Sequence, residues 1–73
     1  MKIKIDSNYY VNTYYIIINN KNCIYIKLFR FKKNKYLISD VLNENSTEEE
    51  FIEWGKNAIE RYKNLPTEYY FED

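Results

Sequence analysis

The stretch NCIYIKLFRFKK, residues 22–33, decides how this chain folds. Successive side chains of a β-strand point to opposite faces, so a strand that covers a core on one side should separate an apolar set from a polar one. Here the even positions are Ile24, Ile26, Leu28, Arg30 and Lys32, and the odd positions are Cys23, Tyr25, Lys27, Phe29 and Phe31. Neither set is clean, and two readings resolve the mixture. With regular alternation, Tyr25, Lys27, Phe29 and Phe31 share one face. A bulge at Lys27 and Leu28 would shift the register by one residue, sending Ile24, Ile26, Phe29 and Phe31 inward and Tyr25, Lys27, Arg30 and Lys32 outward. In both, the outer face mixes aromatic rings with positive charge.

The flanking segments place this strand in a sheet. NNKN, residues 19–22, reads as a hairpin loop, because Asn tolerates positive φ where glycine is absent. Before it, YYVNTYYIIIN (9–19) is a β-branched and aromatic strand, with Tyr10, Tyr14, Ile16 and Ile18 on one face and Tyr9, Val11, Thr13, Tyr15 and Ile17 on the other. KIKID (2–6) is a short amphipathic strand with Ile3 and Ile5 on one side, and Ser7 and Asn8 supply turn chemistry. After the opening stretch, KKNK (32–35) turns the chain into YLISDVL (36–42), with Leu37, Ser39 and Val41 opposite Tyr36, Ile38 and Asp40. Sequential hairpins predict an antiparallel meander.

STEEEFIEWGKNAIERYKNLP (46–66) predicts a helix. Ser46 with Glu49 three residues on is a capping box, three consecutive Glu suit the positive end of the helix dipole, and Pro66 stops the run. Phe51, Gly55, Ala58, Ile59, Tyr62 and Leu65 recur at helical spacing, flanked by Ile52 and Trp54, and form the stripe that packs on the sheet. Gly55 costs about 1 kcal/mol against Ala in a helix interior, so its place in the stripe marks a close approach to the strands. Glu50, Glu53, Asn57, Glu60 and Lys63 lie opposite. The predicted fold is α+β: a small antiparallel four-stranded β-meander with one C-terminal α-helix packed on one face (ββββα). Residues 1–66 form a single domain, and residues 67–73 an acidic, aromatic tail.

A chain of 73 residues buries only about 60% of the surface its unfolded form exposes, so the core is small and there is no room for a second domain. Its single cysteine, Cys23, rules out an internal disulfide framework and multi-cysteine zinc sites, and fits a reducing, cytoplasmic location. MKIKID lacks the apolar run of a signal peptide, and no stretch approaches the roughly 20 apolar residues of a membrane span. Asn, Lys, Ile and Tyr make up 38 of the 73 residues, which reads as the mark of an AT-rich genome, so runs such as NN and YY are given no weight as motifs.

Net charge is zero, but its distribution is not even. Residues 1–39 hold seven Lys and Arg30 against Asp6 alone, while residues 40–73 hold ten acids against Lys56, Arg61 and Lys63. This split points to charged partners, or to two halves that face each other. One candidate binding surface is the outer sheet face, with Tyr25, Lys27, Arg30 and Lys32, joined by Lys2, Lys4, Lys33 and Lys35. Bases stack on aromatic rings and phosphates meet Lys or Arg on such a surface. The other is the acidic helix face, with Glu49, Glu50, Glu53 and Glu60, whose carboxylates imitate a phosphate backbone before a cationic groove. Edge lysines that keep strands from aggregating and first-turn glutamates that suit the dipole are the ordinary explanations of both.

Catalytic chemistry is poorly supplied. The chain has no histidine, and Cys23 has no base to activate it and reads as a small core hydrophobe. Asp6 and Asp40 lack the company of the three or four acids a metal nuclease uses, and a single glycine excludes phosphate-cradling loops. No catalytic residue, cofactor or metal is expected.

In length, class and charge the chain is similar to small accessory proteins of phages and mobile elements, anti-CRISPR proteins among them. The order of strands before a Ser/Thr-started helix is loosely similar to antitoxins of the HicB type, without the glycines expected between those elements. Neither resemblance rests on a diagnostic motif, so neither transfers a functional residue. The first expectation is a non-catalytic inhibitor or regulator that binds a protein or nucleoprotein machine handling nucleic acid. The alternatives are a single-stranded nucleic-acid-binding module and a structural or antitoxin-like subunit. Free sheet edges and an uncovered aromatic face predict a homodimer.

Overall fold

A computed structural model describes residues 1–65, so the predicted tail 67–73 lies outside the described residues. In chain order the elements are β1 (Lys2–Lys4), β2 (Tyr9–Ile18), β3 (Lys21–Arg30), β4 (Tyr36–Asn43) and α1 (Glu48–Lys63). The strands form one antiparallel sheet in the order β1-β2-β3-β4, which is the expected ββββα meander.

Local chemistry makes each turn. Between β1 and β2, one carboxylate oxygen of Asp6 accepts from the backbone N–H groups of Asn8 and Tyr9, at 2.7 and 2.9 Å. That is an Asx-type turn, a conformation Asp favours. The β2–β3 hairpin turns on Asn19 and Asn20 alone, with φ of 50° and 63°, and pairs Ile18 with Lys21. Two consecutive left-handed residues match the twist of the flanking strands. The expected four-residue loop is therefore two residues long, and Lys21 and Asn22 belong to β3.

The ambiguity of residues 22–33 resolves in favour of regular alternation along β3. Ile24, Ile26 and Leu28 face the helix and are fully buried, while Tyr25, Lys27 and Phe29 lie on the other face. The sheet does contain an irregularity, but on the neighbouring strand: Leu28 pairs with Ile38 and Phe29 with Tyr36, leaving Leu37 as the extra residue of β4. Two sequence expectations are corrected. Phe29 does not turn inward, and Leu37 is not opposite Ile38 in its packing, because the bulge lets both pack against the core. It also moves Tyr36 to the outer face.

The core joins Ile3, Tyr9, Val11, Ile24, Ile26 and Leu28 of the sheet to Phe51, Ala58 and Ile59 of α1. Thr13, the buried polar residue, is satisfied at the chain start. Its hydroxyl and backbone N–H donate to the Met1 carbonyl, and its own carbonyl accepts from the Met1 ammonium at 2.9 Å. An ideal Cβ on Gly55 would lie 2.7 Å from Ile5 Cδ1 and 3.1 Å from Val11 Cγ1, so the glycine does allow α1 to sit close on the strands.

Helix initiation lies one residue later than expected. Thr47 is the N-cap, with extended backbone (φ −95°, ψ 167°), and Glu50 completes the capping box. Ser46 is taken up by the preceding turn, where its N–H donates to the Asn43 carbonyl at 3.0 Å. At the other end the helix stops at Lys63, and Leu65 is exposed rather than part of the packed stripe. No helix among the described residues is long and apolar enough to cross a membrane.

Candidate functional site

One helix covers one face of the sheet, and the opposite face is left without a covering element among the described residues. Cross-strand register fixes what it carries. Lys2 stands opposite Asn12, Lys4 opposite Tyr10, Tyr10 opposite Phe29, Tyr14 opposite Tyr25, and Lys27 between Asn12 and Ser39. Asp40 is the one acidic residue in the four strands, and it points the other way, beside Ile26 and towards α1. Among the described residues, the strands of the uncovered face therefore carry lysines and aromatic rings, with Ile16, Ile18 and Val41 at one end, and no carboxylate.

Its rings fall into two groups, each with an ammonium above it. At one end Tyr10 stacks on Phe29 with centroids 5.1 Å apart and planes 9° from parallel, and meets Phe31 at 4.8 Å. Lys2 Nζ lies 4.4 Å from the Tyr10 centroid and 5.6 Å from that of Phe31. Around the middle strand, Lys27 Nζ lies 4.7 Å from the Tyr36 ring, 5.1 Å from Tyr25 and 5.5 Å from Tyr14. The ring quadrupoles attract these ammonium groups and hold the flexible side chains over the sheet.

The four residues singled out on this strand separate into two pairs. Tyr25 and Lys27 sit together in the tyrosine group. Arg30 pairs with Tyr9 on the helix side, its guanidinium carbon 6.0 Å from the Tyr9 ring, and Lys32 occupies the following turn with φ of 72°. Arg30 and Lys32 line a cleft of about 400 Å³ at the end of the sheet with Ser7, Asn8, Tyr9 and Phe31. Regular alternation makes this separation, since even positions of β3 face the helix. Tyr14 and Tyr36 were not picked out as site residues by sequence reasoning. The face assignment of Tyr14 was a usable signal, whereas Tyr36 reaches the site only through the β4 bulge.

On α1, Glu49, Glu50, Glu53 and Glu60 are all exposed, but they are not equivalent. Glu50 is held in the capping box: its carboxylate accepts from the Thr47 N–H at 3.0 Å and from the Thr47 hydroxyl at 3.2 Å. Lys56, also exposed, stands three residues after Glu53 and four before Glu60, so a cation interrupts the acidic face.

The remaining polar candidates have structural work. Asp6 shapes the first turn. Asp40 accepts from the Trp54 indole N–H at 3.2 Å and from the Val41 backbone N–H at 2.8 Å, tying the helix to the sheet edge. Cys23 is half-buried on the outer face opposite Ile16, not in the core. Its thiol lies 3.7 Å from the Lys21 carbonyl. Among the described residues no group of three or more His, Cys, Asp or Glu could hold a metal ion. Comparison with family models, curated proteins and solved structures gives no match.

Proposed function

We propose that this chain is a non-catalytic binding module whose uncovered sheet face takes single-stranded nucleic acid. The observation that carries this reading is the pairing of each aromatic group with an ammonium on a face with no carboxylate in its strands. Single strands bind where bases find π-faces and phosphates find cations, and every base has a π-face, so such a surface is tolerant of sequence. A duplex keeps its bases stacked inside, so it gains only the phosphate contacts. The single thiol and the absence of a disulfide framework suit work in a reducing cytoplasm.

Two other readings are weaker on this geometry. Inhibition of a nucleic-acid-handling machine through a phosphate-mimicking helix rests on Glu49, Glu53 and Glu60, because Glu50 is engaged at the cap and Lys56 breaks the run. A homodimer packed symmetrically through the sheet face sets lysines of both copies against each other, a cost that an anionic partner does not meet.

Fluorescence anisotropy with a labelled oligonucleotide tests the proposal. The single strand binds at low salt, more tightly than the duplex, and log K falls linearly with log salt. Lys27→Glu abolishes binding, while the triple variant Glu49→Gln, Glu53→Gln, Glu60→Gln binds as the parent does. Absence of single-strand binding at low salt refutes the reading. A Gln variant that fails to inhibit or engage a captured protein partner would move the function to the helix.

A further inference from the structure

The two aromatic groups differ in what they leave available. Tyr10 already has Phe29, Phe31 and the Lys2 ammonium as ring neighbours, and all three of these rings are half-buried. Its stacking surface is spent within the protein. Around Lys27 the arrangement is open: Tyr14 is 38% and Tyr36 47% exposed, and Tyr14 meets Tyr25 at 6.4 Å with planes 54° apart, a loose contact. Tyr14 and Tyr36, whose rings flank the Lys27 ammonium, keep more than a third of their surface exposed, unlike the rings around Lys2.

We infer that the recognition unit of this face is a run of two or three nucleotides straddling Lys27, with bases on the flanking tyrosines and the phosphate between them on the Lys27 ammonium. This rests on the reading of the face as a single-strand site. Lys27 Nζ is 5.5 Å from the Tyr14 centroid and 4.7 Å from that of Tyr36, so these exposed ring centres are at most about 10 Å apart. Adjacent bases in a strand lie about 3.4 Å apart when stacked and roughly twice that when splayed, so the gap spans one step or two. The cross-strand neighbours of Lys27 are Asn12 and Ser39, both neutral, so among the described residues no cross-strand carboxylate competes with a phosphate there. A short span with one central cation sets both a length requirement and a single privileged phosphate.

The full chain is titrated with a mononucleotide, a dinucleotide, a trinucleotide and longer oligonucleotides of one base, followed by NMR or calorimetry. Affinity rises about tenfold per added nucleotide up to three, as expected for stacking of one further base, and then levels off. A second series replaces single linkages of the trinucleotide with uncharged methylphosphonate. At one linkage this weakens binding and flattens the slope of log K against log salt by about 0.7. The same replacement has no effect on Lys27→Gln, while Lys27→Arg behaves as the parent. Affinity that keeps climbing well beyond three nucleotides, or a methylphosphonate penalty equal in the parent and Lys27→Gln, overturns the inference while leaving the face a single-strand site. If no oligonucleotide of any length binds, the reading of the face falls and the inference with it.

Discussion

Gly55→Ala sets two effects of known size against each other. Relative to Gly, Ala favours the helix interior by about 1 kcal/mol, and Gly55 lies in the middle of α1. Against this, the added Cβ would sit 2.7 Å from Ile5 Cδ1, 2.9 Å from Ile5 Cγ1 and 3.1 Å from Val11 Cγ1. The Cδ1 contact is cheap to relieve, since that atom is the far end of a flexible, half-buried side chain. The other two are not: Ile5 Cγ1 moves only by a change of χ1, and Val11 is wholly buried and has no space to enter. Overpacking of this kind costs about 1–3 kcal/mol, so crowding outweighs propensity and the variant is less stable by about 1 kcal/mol. For a domain of this size that lowers Tm by about 4–8 °C. Ile5→Ala removes both crowding atoms of Ile5, so in that background Gly55→Ala gains back much of its propensity benefit, and the double-mutant cycle shows a coupling of about 1–2 kcal/mol. Urea unfolding followed by far-UV circular dichroism and Trp54 fluorescence measures all four variants. Stabilisation by Gly55→Ala in the parent background, or additive effects in the cycle, would refute the close approach.

Three further outcomes follow from the local geometry. Thr47→Ala costs about 1 kcal/mol through loss of the N-cap, whereas Ser46→Ala stays within about 0.5 kcal/mol in urea unfolding, a difference that sequence spacing alone does not predict. Asp40→Ala loses its bonds to Trp54 and Val41 and costs about 1–3 kcal/mol. It also frees a backbone donor on an outer strand, so light scattering shows greater concentration-dependent association than for the parent. At the hairpin, Asn20→Ala costs about 1 kcal/mol because φ of 63° is left-handed, while Asn20→Gly is neutral or slightly stabilising; thermal unfolding of the pair separates the two.

The element order was legible in the sequence because each signal is local. Asn19 and Asn20 tolerate positive φ, Ser7 and Asn8 favour a turn, and the Phe51, Gly55, Ala58, Ile59 stripe repeats with the helical period, whereas the Asp6 bonds that close the first turn show only in the structure. Such preferences act over a few residues and need no knowledge of what lies across the fold. Choices between equivalent local options were not legible. Ser46 with Glu49 and Thr47 with Glu50 both satisfy the capping pattern, and the bond from Ser46 to the Asn43 carbonyl selects the second. The position of the bulge was likewise a tertiary matter. Placing it at Leu37 packs Leu37 and Ile38 together against the core and leaves β3 regular, while a bulge at Lys27 would turn Phe29 inward. The candidate site depended on that choice. Tyr14, Tyr25 and Tyr36 come from three strands, and they surround Lys27 only because pairing on both sides of β3 holds a particular register. Alternation within one strand decides which face a side chain takes, but its neighbours on that face are set by hydrogen-bonded pairing between strands, and that pairing is fixed when the core packs.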